Sequence, residues 1–134
     1  MQGNLKLNKM KTIMRIYASL FIVLLLMLSA SVHAQDPMKA APNVAKKVIL
    51  ENDQVRMIHA EFVPGETATW HSHPNHVEYA LTDGKLEITD KGKPARVVEF
   101  KAGDALYMPA VTHMVKNIGT ATVKMVVIEL KPAK

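Results

Sequence analysis

Beyond Lys47 a turn-forming cluster recurs about every ten residues, and this punctuation limits the fold more than any other feature. The runs KVILEN, QVRMIHAEFV, TATWHSH, VEYALT, KLEIT, ARVVEF, ALYMP, HMVKNI and VKMVVIEL are rich in β-branched and apolar residues. Between them lie Pro64-Gly65-Glu66, Pro74-Asn75, Asp83-Gly84, Asp90-Lys91-Gly92, Ala102-Gly103-Asp104 and Gly119-Thr120. No stretch carries the periodicity of an amphipathic helix. Asp83-Gly84 reads as a two-residue hairpin turn. The pattern predicts an all-β domain, an antiparallel meander or jelly roll closing into a small β-barrel.

One of these runs carries chemistry. His71 and His73 are one residue apart in a strand, so both imidazoles share a face. Two imidazoles aimed at one point suit a transition metal. Gly65 precedes them, Glu78 follows, and His113 stands in a later strand-like stretch after Pro109. Trp70 falls on the opposite face from His71, where packing against a neighbour is its expected role. His59 has no such companions and reads as an ordinary surface or hydrogen-bonded residue, while Met57, Met108, Met114 and Met125 read as core fillers. The chain has no cysteine, no phosphate-binding glycine loop and no nucleophile elbow. Ser72, the sole serine beyond residue 34, alternates away from the two flanking histidines.

The N-terminal quarter belongs to a different class of sequence. Lys9, Lys11 and Arg15 form a positive region, Ile16 to Leu28 an apolar one, and Val32-His33-Ala34 presents small residues where a signal peptidase reads. Residues 1–34 are therefore expected to be a signal peptide cleaved after Ala34, with Met10 an alternative start to Met1. The apolar run is shorter than the ~20 residues needed to span a bilayer, so no membrane attachment is expected after cleavage. Four basic residues (Lys6, Lys9, Lys11, Arg15) leave with it, and thirteen basic against twelve acidic side chains remain, a net charge of +1. The whole-chain value of +5 is thus no sign of nucleic-acid binding. A periplasmic or secreted location follows, without a disulfide framework or a lipidated cysteine. Residues 35–46 (QDPMKAAPNVAK) read as a flexible or surface-lying arm, and 47–134 as one domain.

The spacing of the candidate ligands resembles the cupins, small β-barrels marked by two metal-binding motifs. The first motif is matched by Gly65, ETATW, His71-Ser72-His73, PNHV, Glu78, YALTD and Gly84. The second is matched by Gly103, DALYM, Pro109-Ala110-Val111-Thr112-His113, MVK and Asn117, lacking the family's inner glycine and one residue of its spacing. The resemblance implies a jelly-roll barrel with a divalent transition metal (Fe, Mn, Ni, Cu or Zn) on His71, His73, His113 and Glu78. Register leaves one choice open, since a slip of one residue reverses the face of a strand. If Val77, Tyr79 and Leu81 face inward, Glu78 faces out, and His76 or water completes the sphere. Cupins include dioxygenases, isomerases, decarboxylases and plain binding proteins, so a small-molecule ligand is implied and an enzyme is one option beside a sensor. Tyr79 and Tyr107 are the polar groups expected to supplement the ligands inside. A homodimer is expected too, with Val48 to Leu50 covering a neighbour's strand edge.

Overall fold

The computed structural model describes Met14 and residues 35–132. The expected signal segment and its cleavage point fall outside the described residues, Met14 excepted. Among those described, no helix is long and apolar enough to cross a membrane.

One turn of helix, α1 (Pro37–Ala40), precedes β1 (Ala45–Glu51), β2 (Val55–Phe62), β3 (Thr67–His73), β4 (His76–Ala80), β5 (Gly84–Asp90), β6 (Arg96–Phe100), β7 (Ala105–Met108), β8 (Val111–Asn117) and β9 (Val123–Leu130). They form two antiparallel sheets, β1-β2-β9-β4-β7 and β3-β8-β5-β6. The all-β jelly-roll barrel expected from turn spacing is the fold observed. Its core is Ile58, Phe62, Ala68, Leu86, Ile88, Val115, Val123, Met125 and Val127, each 5% exposed or less. Each of these side chains larger than alanine contributes about 1.5–3 kcal/mol on burial.

Side chains alternate along a strand, so each cross-strand row of the five-stranded sheet belongs to one face. In the row Val48, Ile58, Val127, Glu78, Leu106 the middle residues Ile58, Val127 and Glu78 point inward, and Val48 and Leu106 at its two ends are exposed. Beyond it Arg56, Glu129 and His76 carry charged and polar groups onto the core face, between exposed Glu51 and buried Met108. The intervening row, Leu50, Met57, Ile128, Val77, Tyr107, lies on the outer face and is apolar but for one phenol.

Three sequence expectations change. Asp83-Gly84 is not a hairpin, because β4 and β5 belong to different sheets and the chain crosses between them there. Gly84 is needed for close approach: a Cβ there would lie 2.5 Å from Phe100 Cζ and 2.7 Å from Val123 Cγ2. The segment 35–46 is not a loose arm either. Asp36 caps α1 by accepting the Met38 N–H at 3.0 Å, Pro37 starts the helix, and Ala41 and Val44 are buried in the core. Its apolar residues are too few for periodicity to reveal. Finally, β3 is not a regular strand, because its pairing with β8 shifts between Ala68 and His71. The bulge places Thr69 and Trp70 outward and lets Ala68 and His71 both face the core. Trp70 is 39% exposed on that outer side.

Candidate metal centre

Strand alternation in β3 aims His71 and His73 inward, and antiparallel pairing sets His113 of β8 directly opposite His71. All three imidazoles are buried. One ring nitrogen from each falls within 4.8 Å of the others, and the ring centroids are 4.6 to 5.4 Å apart. His71 Nδ1 donates to the Thr69 carbonyl at 2.7 Å, and His73 Nδ1 donates to Glu129 Oε1 at 2.7 Å. Each bond selects the Nδ1–H tautomer and leaves Nε2 as the lone-pair nitrogen. His71 Nε2 then faces His113 Nε2 at 3.1 Å. Metal–nitrogen bonds of about 2.0–2.1 Å place adjacent ligand nitrogens roughly 3.0–3.4 Å apart, so this spacing fits a shared ion.

Electrostatics keep this pair of rings free of charge. Burial pushes His71 down to about 4, with further lowering by His73 and His76 opposed by the Thr69 carbonyl and Glu78. Burial also drives His113 down to about 2, assisted by His71, His73, His76 and Arg96. A proton therefore does not compete for these nitrogens near neutral pH. Among the described residues, His113 Nδ1 is buried with no hydrogen-bond partner. With Nε2–H donated to His71, that nitrogen is a lone pair facing no donor.

The register question resolves in β4. His76, Glu78 and Ala80 face inward, whereas Tyr79 is 42% exposed on the outer face. Glu78 lines a void of about 30 Å³ with His71 and His73, large enough for one ion or water. It also lines an adjoining cavity of about 330 Å³ walled by Ile88, Phe100, Leu106 and Met125, with Arg96 beside them. Glu78 thus stands between the histidine cluster and a chamber of small-ligand size. His76 is fully buried, its Nδ1 donating to the Pro74 carbonyl at 2.8 Å and its Nε2 lying 3.7 Å from Glu78 Oε1. Burial opposes the charge of His76, yet Glu78, the Pro74 carbonyl and Glu129 together raise its pKa above the usual value. The structure therefore brings both alternatives for a fourth ligand to the same face. It does not bring in the tyrosines, since Tyr107 is 58% exposed and points outward with Tyr79. A larger surface depression of about 550 Å³, around Asp83, Lys101 and Thr120, contains none of the histidines.

Sequence reasoning missed Glu129 and Arg56. In β9 Val123, Met125 and Val127 are buried at every second position, and the same parity carries Glu129 into the core. In β2 Ile58, Ala60 and Phe62 set the parity that takes Arg56 inward. A charged residue continuing a buried period of two was the available signal.

A two-sheet barrel with a buried three-histidine cluster that could hold a metal ion, beside a small-ligand cavity, defines a class of β-barrels. Residues 58–129 match the family model described as Cupin domain, and the chain belongs to that family. It is similar to a cupin domain from Bordetella pertussis Tohama I at 26% identity, covering 64% of this chain and 91% of that one, with a TM-score of 0.61. An RmlC-like cupin of double-stranded β-helix fold from Methanocaldococcus jannaschii matches at 19% identity, over 63% of this chain and 77% of that one, with a TM-score of 0.53. A cupin superfamily protein from Desulfitobacterium hafniense DCB-2 matches at 20% identity, over 64% and 75%, with a TM-score of 0.51. The last two matches speak to the fold alone. No curated protein matches the chain.

Proposed function

We propose that this chain is an exported cupin that holds one divalent transition metal on His71, His73 and His113 and binds or transforms a small organic molecule there, in the manner of a dioxygenase or isomerase. The observation that carries this reading is the 3.1 Å approach of His71 Nε2 and His113 Nε2 in a buried site. Such an ion, when bound, supplies Lewis-acid or redox chemistry. Glu78, between the cluster and the 330 Å³ cavity, is the group placed to hold or move a proton, or to complete the coordination. Export rests on the charged and apolar regions of residues 9–34.

A non-catalytic binding or sensing role is the second reading, favoured by the largely apolar wall of Ile88, Val98, Phe100, Leu106 and Met125. Both readings are tested by elemental analysis of protein purified without added metal or a polyhistidine tag, with His73→Ala, Glu78→Ala and His76→Ala alongside. Unchanged metal content in His73→Ala rejects the metal site, and the other two variants decide the fourth ligand. Oxygen consumption or isomerisation with a panel of small enols and catechols then separates enzyme from binder.

The dimer belongs to the same proposal. A solvated antiparallel sheet face ordinarily carries polar residues, but here Leu50, Val77, Tyr79 and Tyr107 share the outer face, and β1 leaves Val48, Ile49 and Leu50 exposed at the sheet edge. A second copy would cover them. Sedimentation at micromolar concentration should give a dimer, and only monomer would count against it.

A further inference from the structure

The inner charged row of the five-stranded sheet continues beyond the barrel into the N-terminal segment. Glu129 takes the His73 Nδ1–H on Oε1 at 2.7 Å, and its Oε2 lies 3.6 Å from Arg56 Nη1. Arg56 then forks onto Asp36, Nη1 to Oδ1 at 3.1 Å and Nη2 to Oδ2 at 3.4 Å. Glu129 is 5% exposed, and a carboxyl group buried that far needs a partner for each oxygen. Arg56 is the partner of Oε2, and Asp36 is the group that holds its fork in place.

Two more contacts run from the same segment to the same strand. Thr69 Oγ1 donates to the Ala40 carbonyl at 2.8 Å, while the Thr69 carbonyl accepts the His71 Nδ1–H. Ser72, between the two histidines, donates its backbone N–H to the Gln35 carbonyl at 2.8 Å. Pro37, Ala41 and Val44 also wall the 30 Å³ void with His71 and His73.

We infer that Gln35–Ala41 is a structural part of the metal centre, with Asp36, Arg56 and Glu129 as positioning residues for His73, so that docking of this segment and metal binding strengthen each other. The inference rests on the proposed three-histidine site and adds to it a chain of residues that touch no metal. Coupling of this kind is reciprocal: if a docked segment raises metal affinity by some factor, bound metal favours docking by the same factor. Ligand-orienting partners typically change metal affinity about 10–100-fold, which sets the scale for Glu129.

The test is Co(II) titration of the purified protein, read by the visible absorption of the ligated ion, with amide hydrogen exchange measured on the metal-free and Co(II)-loaded forms. Glu129→Gln should weaken Co(II) roughly 10–100-fold, and Asp36→Asn, which keeps shape and a capping oxygen, by a smaller factor. Lys39→Ala, an exposed change on the same helix, should leave affinity unchanged. Co(II) should slow exchange at Ser72, Lys39, Ala40 and Ala41 in the wild type, and slow it less in Asp36→Asn. Asp36→Asn carries the test if Glu129→Gln does not fold. Wild-type affinity in Asp36→Asn, or exchange in the segment indifferent to Co(II), overturns the coupling while leaving the three-histidine site standing. Failure of the wild type to bind Co(II) removes both.

Discussion

His71 and His113 face each other across β3 and β8 with their Nε2 atoms 3.1 Å apart. Two neutral acceptors cannot stay at that distance unaided, so a proton or a cation lies between them.

Metal should therefore stabilise the fold through this pair. At a free concentration of 100 Kd, a metal bound only by the native state adds about 2.7 kcal/mol to the unfolding free energy. Urea titrations with and without metal should show that increment in the wild type and none in His113→Ala. An equal gain in His113→Ala would place the ion elsewhere.

The metal-free protein should lose stability on mild acidification. His71 and His113 bind protons in the native state only near 4 and 2, whereas in the unfolded chain they do so near 6.5. Between pH 6.5 and 4 the unfolded state binds more protons, so stability present above 6.5 is lost as pH falls, by about 3 kcal/mol for His71 alone. His76, whose pKa is raised, works in the opposite sense, its contribution being lost as pH rises past its native value. Urea midpoints measured from pH 7.5 to 4.5 in a chelator should fall steadily, and a flat profile would contradict the burial of these rings.

Gly84→Ala should cost about 1–3 kcal/mol, because its Cβ would overlap Phe100 and Val123 in a filled core. The same change at Gly65, which meets nothing within 4 Å, carries only the strain of its positive φ of 79°. Thermal unfolding of the two variants distinguishes crowding from backbone strain. Full recovery of Gly84→Ala by Phe100→Leu would identify the ring as the obstacle.

Asn117→Ala should destabilise by about 2–4 kcal/mol. The side chain is fully buried, its Nδ2 donating to the Phe62 and Ala121 carbonyls at 3.0 and 2.9 Å and its Oδ1 accepting the Gly119 N–H at 2.9 Å. Denaturant unfolding in a chelator measures this apart from metal binding. A loss under 1 kcal/mol would mean that the loop finds other partners.

Much of this site was legible because a strand's period is two. His71 and His73 share parity, and the second motif placed His113 within reach of them. The Val77 or Glu78 choice was not legible, since β4 mixes polar and apolar residues on both parities: His76, Glu78 and Ala80 against Val77 and Tyr79. Asp83-Gly84 misled because a hairpin and a crossing between sheets use the same local chemistry, and only the position of β5 beside β8 and β6 tells them apart. Residues 35–46 misled because one capped helical turn and two buried apolar residues leave no pattern to count.

The bulge in β3 lets Ala68 and His71, three residues apart, share the inner face that a regular strand would deny to one of them. Thr69 and Trp70 are together opposed by a single step of β8, so any residue facing solvent at either position preserves the count. Removing one of them straightens the strand and restores one-to-one pairing with β8, with Ala68 and His71 still on the inner face. Trp70 is thus open to substitution, and a one-residue deletion there should leave His71 and His73 facing the core, whereas a deletion between His71 and His73 would put them on opposite faces.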